Sequence, residues 1–537
     1  MMQGIKTQAE VMQPQETLKR AWASVTPLDR ITFLWAFFGG LVIHLYRLTN
    51  FSMIPETPYF FYDQDNRADH GRWFLHHITD WTGWLDLQWL NGVIAIAYLA
   101  VACVVIVRLL KIKSPVTGAF AAILFMANPA TVAMLHFTFL ADGYAFAVLL
   151  GCLSVLSVQV LFERGLRATT VGVVIGAILL CLSLAIYQSN LSLTAFLCIA
   201  ILIRAFLECD PKVWKRTAAL LAMGAGGTLL YLGSVKLINV PMTDHAALNT
   251  MGEIDLAGSV EMLKWLYLDG SHPYMDLLTY PTALGWQLLG WLGLALFAGL
   301  ILMLIVHTQL WKRPLDLVVV CVMMAAIPAA WWLINLLQPN AGVQNPLQAN
   351  SSALMWPVLL AFGEYAAARL REAKRPAMPR AAQLAQWASW VCCALLAFHF
   401  AIFDNQFYTL TRLTYEKDQA LYNRVLSRME EQPEYQFGMP LLIEGAPEQA
   451  GKTTDFAEFS AKISTYMLLL QPRSNLYGDG QRMFMNSFLN ADFRLTDEET
   501  KEQILASEEF AEMPLWPAEG SIRVIDGVMV MKCREAS

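Results

Sequence analysis

The sequence predicts a polytopic α-helical membrane protein of about eleven transmembrane helices, with interfacial loop helices and a small C-terminal α/β domain. Three observations carry this. Apolar residues make up 56% of the 537 and charged residues only 15%, where a soluble domain has about 25% charged. Mean hydropathy is +0.42. Apolar runs long enough to cross a bilayer recur from Ile31 to Phe403.

The first 30 residues are polar and lack a short apolar stretch followed by a cleavage site, so the first helix is expected to stay in the membrane. Spans fall near 31–48, 90–110, 116–135, 142–162, 168–186, 190–208, 216–237, 284–308, 315–334, 353–370 and 384–403. Alternate connections are then basic. They hold Lys19, Arg20 and Arg30; Arg108, Lys111 and Lys113; Arg164 and Arg167; Arg204, Lys212, Lys215 and Arg216; Lys312 and Arg313; and Arg369, Arg371, Lys374, Arg375 and Arg380. The opposite connections hold only Arg67, Arg72, Lys236 and Lys264, with Arg47 at an edge. Basic loops stay in the cytoplasm. An odd number of spans then puts residues 405–537 outside, in the periplasm of a Gram-negative cell whose inner membrane holds the chain. The expected division is a cytoplasmic segment 1–30, a membrane domain 31–404 with outer loops 49–89 and 238–283, and a periplasmic domain 405–537.

Net charge is −6, unevenly divided. Residues 405–537 carry 21 acidic and 13 basic side chains, and the remainder 23 and 25. Neither part is basic enough for a nucleic-acid partner. Eight of nine cysteines lie in or beside the spans, leaving only Cys533 in the tail. A disulfide framework is thereby excluded for the outer domain, and no Cys/His spacing resembles a zinc site. In the tail MPLLIEG reads as a strand and FAEFSAKISTYMLLL as an amphipathic helix. SIRVIDGVMVMK reads as a hairpin turning at Asp526-Gly527, a pair suited to a type I′ turn. No internal repeat is present, nor the inverted halves of many transporters.

The first outer loop holds the densest cluster of reactive side chains: Asp63, Asp65, Arg67, Asp69, His70 and Arg72. Carboxylates held at a membrane surface often mark function, and Asp63 and Asp65 are candidates here. Phe74, Ile78, Trp81, Leu85 and Trp89 follow at helical spacing and describe an anchoring helix lying in the membrane interface. Asp142 opens a span in ADGYAF, either as a functional acid or as an N-cap. YQSN (Tyr187 to Asn190) forms a polar turn whose simplest reading is a tight, water-facing connection. The loop 238–283 supplies Lys264 and His272, each able to pair with a phosphate or to be merely exposed, and EIDLAGSVEMLKWLYL reads as a second interfacial helix.

Two apparent motifs fail. GAPEQAGKT (445–453) has its glycines one residue too far apart for a phosphate loop, and it falls on the side where ATP is scarce. Asp63-Gln64-Asp65 has the form of an acid-x-acid site, and two carboxylates can hold a divalent cation. Nucleotide sugars, however, are cytoplasmic.

In their order, these features make the chain resemble the serotype-converting O-antigen glucosyltransferases of the Gtr type, in the GT-C superfamily. The matching residues are the acidic loop running into GRW (Asp63 to Trp73), Asp142 in ADGYAF, the Tyr187-Gln188 turn, and the polar stretch FDNQFYTLTRLTYEKDQALYNRVLSRM after the last span. One departure stands out: Gln64 separates two acids that are often adjacent. In an extended segment Asp63 and Asp65 point to opposite sides, so only one is expected to face the reaction.

The resemblance implies transfer of a sugar, usually glucose, from undecaprenyl phosphate to a hydroxyl of the O-antigen of lipopolysaccharide, with inversion at the anomeric carbon. A sugar donor used outside the membrane must arrive on a lipid. A companion lipid-sugar synthase and a flippase would complete the supply. On this reading Asp63, Asp65 and Asp142 are the catalytic candidates. Arg72, Arg67 and Lys264, in that order, are the candidates for the departing phosphate, with Tyr187, Gln188 and His272 as further substrate contacts. A divalent cation, Mg or Mn, is left open, with Asp63 and Asp65 as its ligands. The competing readings are the same fold with another sugar or acceptor (mannosyl, aminoarabinose), a polysaccharide polymerase, a lipid transporter, or an outer domain that only recruits glycan.

Overall fold

A computed structural model describes residues 14–51, 53, 71–79, 87–238, 256–268, 284–337, 347–348, 350–371, 377–447, 476 and 479–534. The chain enters through α1 (Pro14–Ser24) and α2 (Pro27–Ile43), the latter continued by the short α3 (Leu45–Thr49). Thr26 and Asp29 start α2 with a reciprocal capping box, and Pro27 sits at its first position, where no backbone N–H is needed. The short α4 (Trp73–Thr79) leads to α5 (Gln88–Leu109), α6 (Pro115–Met126), α7 (Pro129–His136), α8 (Ala141–Phe162), α9 (Leu166–Leu184), α10 (Asn190–Leu207) and α11 (Val213–Ile238). After α12 (Leu256–Leu268) come α13 (Leu284–Thr308), α14 (Pro314–Ala325), α15 (Ile327–Trp331), α16 (Leu333–Leu337), α17 (Met355–Arg369) and α18 (Ala377–Glu430).

Among the described residues, seven helices are long and apolar enough to cross a membrane: α5, α8, α9, α10, α11, α13 and α18. The protein is thus a multi-pass membrane protein. An eighth crossing is counted if α6 and α7, bent by 48° against each other, form one span. The expected span 116–135 breaks there because Asn128 caps α7, accepting from the Ala130 N–H at 3.0 Å, and Pro129 follows. The other three expected spans coincide with shorter helices. The first is α2 and α3, separated at His44; the second is α14 to α16, interrupted at Ala326, just before Ile327-Pro328, and at Trp332; the third is the 15-residue α17.

Alternate helix ends gather at one end of the bundle, tied by ion pairs. Arg108 grips Asp29 with two hydrogen bonds of 2.8 and 2.7 Å. Glu208 receives Lys111 and Arg204, and Arg216 reaches both Glu163 and Asp210. These are the basic connections read from the sequence, brought together on one face.

The C-terminal part is built on α18, which runs unbroken from the apolar bundle past residue 405 for 54 residues. Beyond it come β1 (Pro440–Glu444), α19 (Gly480–Phe488), β2 (Arg494–Leu495), α20 (Glu498–Leu505), α21 (Glu508–Glu512), β3 (Ile522–Ile525) and β4 (Val528–Lys532). The sheet order is β2-β1-β4-β3, with β1 parallel to both neighbours and β3–β4 antiparallel. Asp526 and Gly527 both take positive φ, 48° and 77°, the type I′ geometry expected of that hairpin. Strand alternation splits β4: Met529 and Met531 pack on Tyr422, Val425 and Met429 of α18, while Val528 and Val530 pack under Ile504 and Phe510. MPLLIEG is a strand as expected, whereas the amphipathic segment 456–470 lies outside the described residues.

Candidate active site

At the end of the bundle opposite the ion pairs, α4 is wedged between three helices. Leu75 and Ile78 are buried, and Leu75 lies so close to Gly143 that a Cβ there would stand 2.7 Å from Leu75 Cδ1. The Phe74 N–H donates to the Ala185 carbonyl at 3.0 Å, just past α9, and Trp73 Nε1 donates to Ser234 Oγ of α11 at 3.0 Å. This segment was expected to lie flat in the membrane interface. Among its described residues, the apolar side packs inward on α8, where Gly143 leaves room for it.

That wedge sets the position of Arg72. Gly71 takes a φ of +76°, and a side chain there would meet Tyr231 Oη at 2.7 Å. Arg72 Nη1 donates to Tyr144 Oη at 3.2 Å, and its guanidinium lies 5.0 Å from the centre of the Tyr187 ring. The Tyr144 and Tyr187 rings are themselves 4.8 Å apart. Arg72 Nε is buried without a hydrogen-bond partner among the described residues, and no described carboxylate pairs with this guanidinium. Burial pushes the Tyr187 hydroxyl up to about 12 against the opposing pull of Arg72, so the ring stays neutral.

The YQSN turn is buried, contrary to its simplest sequence reading. Tyr187, Gln188, Ser189 and Asn190 are all closed from solvent. Gln188 Nε2 donates to Tyr231 Oη at 2.8 Å, and Asn190 Oδ1 accepts from Asn350 Nδ2 at 2.9 Å. The covering groups come from α11 and from the 3₁₀ turn Asn350–Leu354, far away in sequence.

Asp142 sits in the first turn of α8, with Leu140 rather than Asp142 at the cap position. It is 2% exposed, and its Oδ1 accepts the Gly143 N–H at 2.9 Å. The helix N-terminus favours a buried negative charge at that point. Two residues on, Tyr144 holds Arg72, but positions two apart on a helix point to different sides. Arg72, Tyr187 and Gln188 are therefore brought together around Tyr144 and Tyr231, while Asp142 shares with them only the first turn of α8. Lys264 is not part of this group. It is exposed on α12 and paired with Glu261 at 2.6 Å. Asp63, Asp65, Arg67 and His272 lie outside the described residues.

The residues that flank the acidic loop are both anchored. On one side Phe51 packs on Tyr415 and Phe488, with ring centres 5.4 and 5.9 Å apart, and Met53 is buried in the C-terminal core. On the other side stand Gly71 and Arg72.

Sequence reasoning missed a second buried polar group beside the first. His44 Nε2 lies 3.0 Å from the Met126 carbonyl, which can only accept, so Nδ1 takes the Tyr408 hydroxyl proton at 2.9 Å. Arg47 Nη2 donates to the His136 carbonyl at 2.9 Å. Both ring nitrogens of His136 and both carboxylate oxygens of Asp404 are buried without a hydrogen-bond partner among the described residues. Phe137, beside His136, packs on Tyr144, which links the two groups. A signal was available in ionisable residues inside apolar runs: HLYR, MLHF and IFDN.

The Arg72 guanidinium is the cation this end of the bundle offers to an anion. A family model described as Glucosyl transferase GtrII matches residues 48–362, more than half of the chain, taking in the acidic loop, Asp142 and the Tyr187-Gln188 turn. No curated protein and no solved structure matches. The chain belongs to the GtrII family of glucosyl transferases.

Proposed function

We propose that the protein moves a glucosyl unit from undecaprenyl phosphate to an O-antigen hydroxyl on the periplasmic face of the inner membrane. The observation that carries this reading is Arg72. It is a cation without a described carboxylate partner, seated on two tyrosines directly after the acidic loop. A lipid phosphate supplies the missing anion. The basic ion-paired end then faces the cytoplasm and residues 405–537 the periplasm, in line with the loop charges.

In the reaction Asp63 or Asp65 takes the proton of the acceptor hydroxyl. The hydroxyl oxygen bonds to the anomeric carbon from the side opposite the phosphate. The carbon–oxygen bond to phosphate breaks, its electron pair stays on the phosphate, and the anomeric configuration inverts. Arg72, with Arg67, offsets the charge that grows on the departing phosphate. Asp142 orients the sugar or the acceptor from the first turn of α8. A divalent cation would need Asp63 and Asp65 as ligands; among the described residues no three His, Cys, Asp or Glu side chains converge to hold one. No step above depends on it.

The test uses purified protein in lipid nanodiscs with undecaprenyl-phosphate glucose and O-polysaccharide. Transfer of one hexose is expected from the parent, with a loss of roughly 10²–10⁴-fold in whichever of Asp63→Asn and Asp65→Asn removes the base. Full activity in both single variants and in the double variant would sink the assignment.

A further inference from the structure

The outer face of α18 holds a pocket remote from this group. Asn423, Arg424, Ser427 and Arg428 line it with Trp516 and Pro517, an open depression of about 350 Å³. That is within the range of small-ligand sites, roughly 300–1,000 Å³. The four helix residues form one face, since 423 and 427, like 424 and 428, are a turn apart. The opposite face, with Tyr422, Val425 and Met429, is locked in the core. Trp516 is fixed as well. Its backbone N–H donates to the Lys532 carbonyl at 2.8 Å, and the Arg428 guanidinium covers its ring at 4.7 Å while Nη1 donates to the Pro517 carbonyl at 2.8 Å.

What this rigid pocket offers is unused hydrogen bonding. The Asn423 amide, the Ser427 hydroxyl and the Trp516 indole N–H make no hydrogen bond among the described residues. Neither Arg424 nor Arg428 meets a described carboxylate, although residues 405–537 carry 21 acids against 13 bases. A free amide, a free hydroxyl and a guanidinium fork beside an indole edge suit a polyhydroxylated ring. The hydroxyls of such a ring both donate and accept, and its C–H face is apolar enough to meet an aromatic.

We propose that this pocket is a subsite for one sugar unit of the polysaccharide acceptor, away from the unit being glucosylated. An acidic sugar would bind it more tightly than a neutral one, because a guanidinium takes a carboxylate in a bidentate pair. The inference rests on the proposed outer-face transfer for the identity of the polysaccharide. The pocket would make the outer domain the acceptor's handhold and leave the chemistry to the membrane end.

The experiment uses the full chain in nanodiscs, with O-polysaccharide freed from its lipid by mild acid as the probe. Binding is read by saturation-transfer NMR and transfer by hexose incorporation. The double variant Asn423→Ala/Arg424→Gln changes only exposed side chains. It is expected to raise the polysaccharide Kd and the acceptor KM at least tenfold, with kcat and donor KM unchanged. An unchanged Kd in that variant, or no binding by the parent protein, would overturn the subsite. A parent protein that binds polysaccharide but transfers no hexose would instead overturn the transfer reading and leave the subsite standing.

Discussion

The two ends of the helical bundle treat charge in opposite ways. At the basic end the charges are answered: Asp29 by Arg108, Glu208 by Lys111 and Arg204, and Arg216 by Glu163 and Asp210. At the other end polar atoms are buried without answer. Arg72 Nε, both nitrogens of His136 and both oxygens of Asp404 lack hydrogen-bond partners among the described residues. An unanswered buried polar group costs about 1–3 kcal/mol, more when charged. Arg216 Nε and Gln159 Nε2 at the basic end are unpartnered as well, but their side chains keep other hydrogen bonds, whereas the His136 ring and the Asp404 carboxylate keep none among the described residues, at the end where the proposed substrates would arrive. Paired charge marks the end that holds helices together. On the proposed function, unpartnered polar groups mark the end that works.

The contrast can be broken first at Arg72. Arg72→Gln should lower kcat roughly 10²–10³-fold, the usual loss when a donor to developing charge is removed, with little change in thermal stability. Arg72→Lys should recover only part, since an ammonium cannot span Tyr144 and the ligand as a planar fork does. Equal loss of activity and of folded protein would show that Arg72 is structural.

At the opposite end Arg216→Ala should do the reverse. It removes one cation shared by two carboxylates and a cation–π contact with Phe162 at 4.4 Å. Glu163 is half-exposed and can turn to water, so the cost should be near 2 kcal/mol rather than the ~3–5 of a fully buried pair. Thermal unfolding would show it, and activity per folded molecule should stay within twofold.

A smaller effect concerns pH. The Arg108 side chain holds the Asp29 carboxyl down from 3.8 to about 2. A carboxyl lowered by folding stabilises above its unfolded value, so this contribution is complete above about pH 4. It is lost as pH falls through 2. Asp29→Asn should flatten that stretch of the stability curve, and an unchanged curve would refute the pairing. The smallest effect should come from Tyr187→Phe. The hydroxyl stays protonated and the ring remains under Arg72, so activity should change less than threefold, while Tyr187→Ala should cost tenfold or more.

Much of the architecture was legible because hydropathy and charge are local properties of a run. The long apolar helices, the basic loops and the Asp526-Gly527 turn all follow from neighbours in sequence. Two expected spans are broken where a proline lies inside an apolar run, at Asn128-Pro129 and just before Ile327-Pro328. For the site, Arg72, Asp142, Tyr187 and Gln188 could be picked out by residue type and placement. The burial of YQSN could not, since Tyr231 and Asn350 cover it from more than forty and about 160 residues away. His136 and Asp404 did leave a signal, each an ionisable residue alone in an apolar stretch, and the fold adds that neither ring nor carboxylate finds a hydrogen-bond partner among the described residues.

The length of α18 has a mechanical consequence. At about 1.5 Å per residue its 54 residues reach some 80 Å, against a hydrocarbon layer of about 30 Å. The same rigid rod therefore begins in the bundle and ends in the core of the C-terminal part. It acts as a gauge, fixing both the height and the bearing of that domain. One added residue would swing the domain by about 100° for a rise of only 1.5 Å, whereas seven would raise it about 10 Å and bring it back to nearly the same bearing.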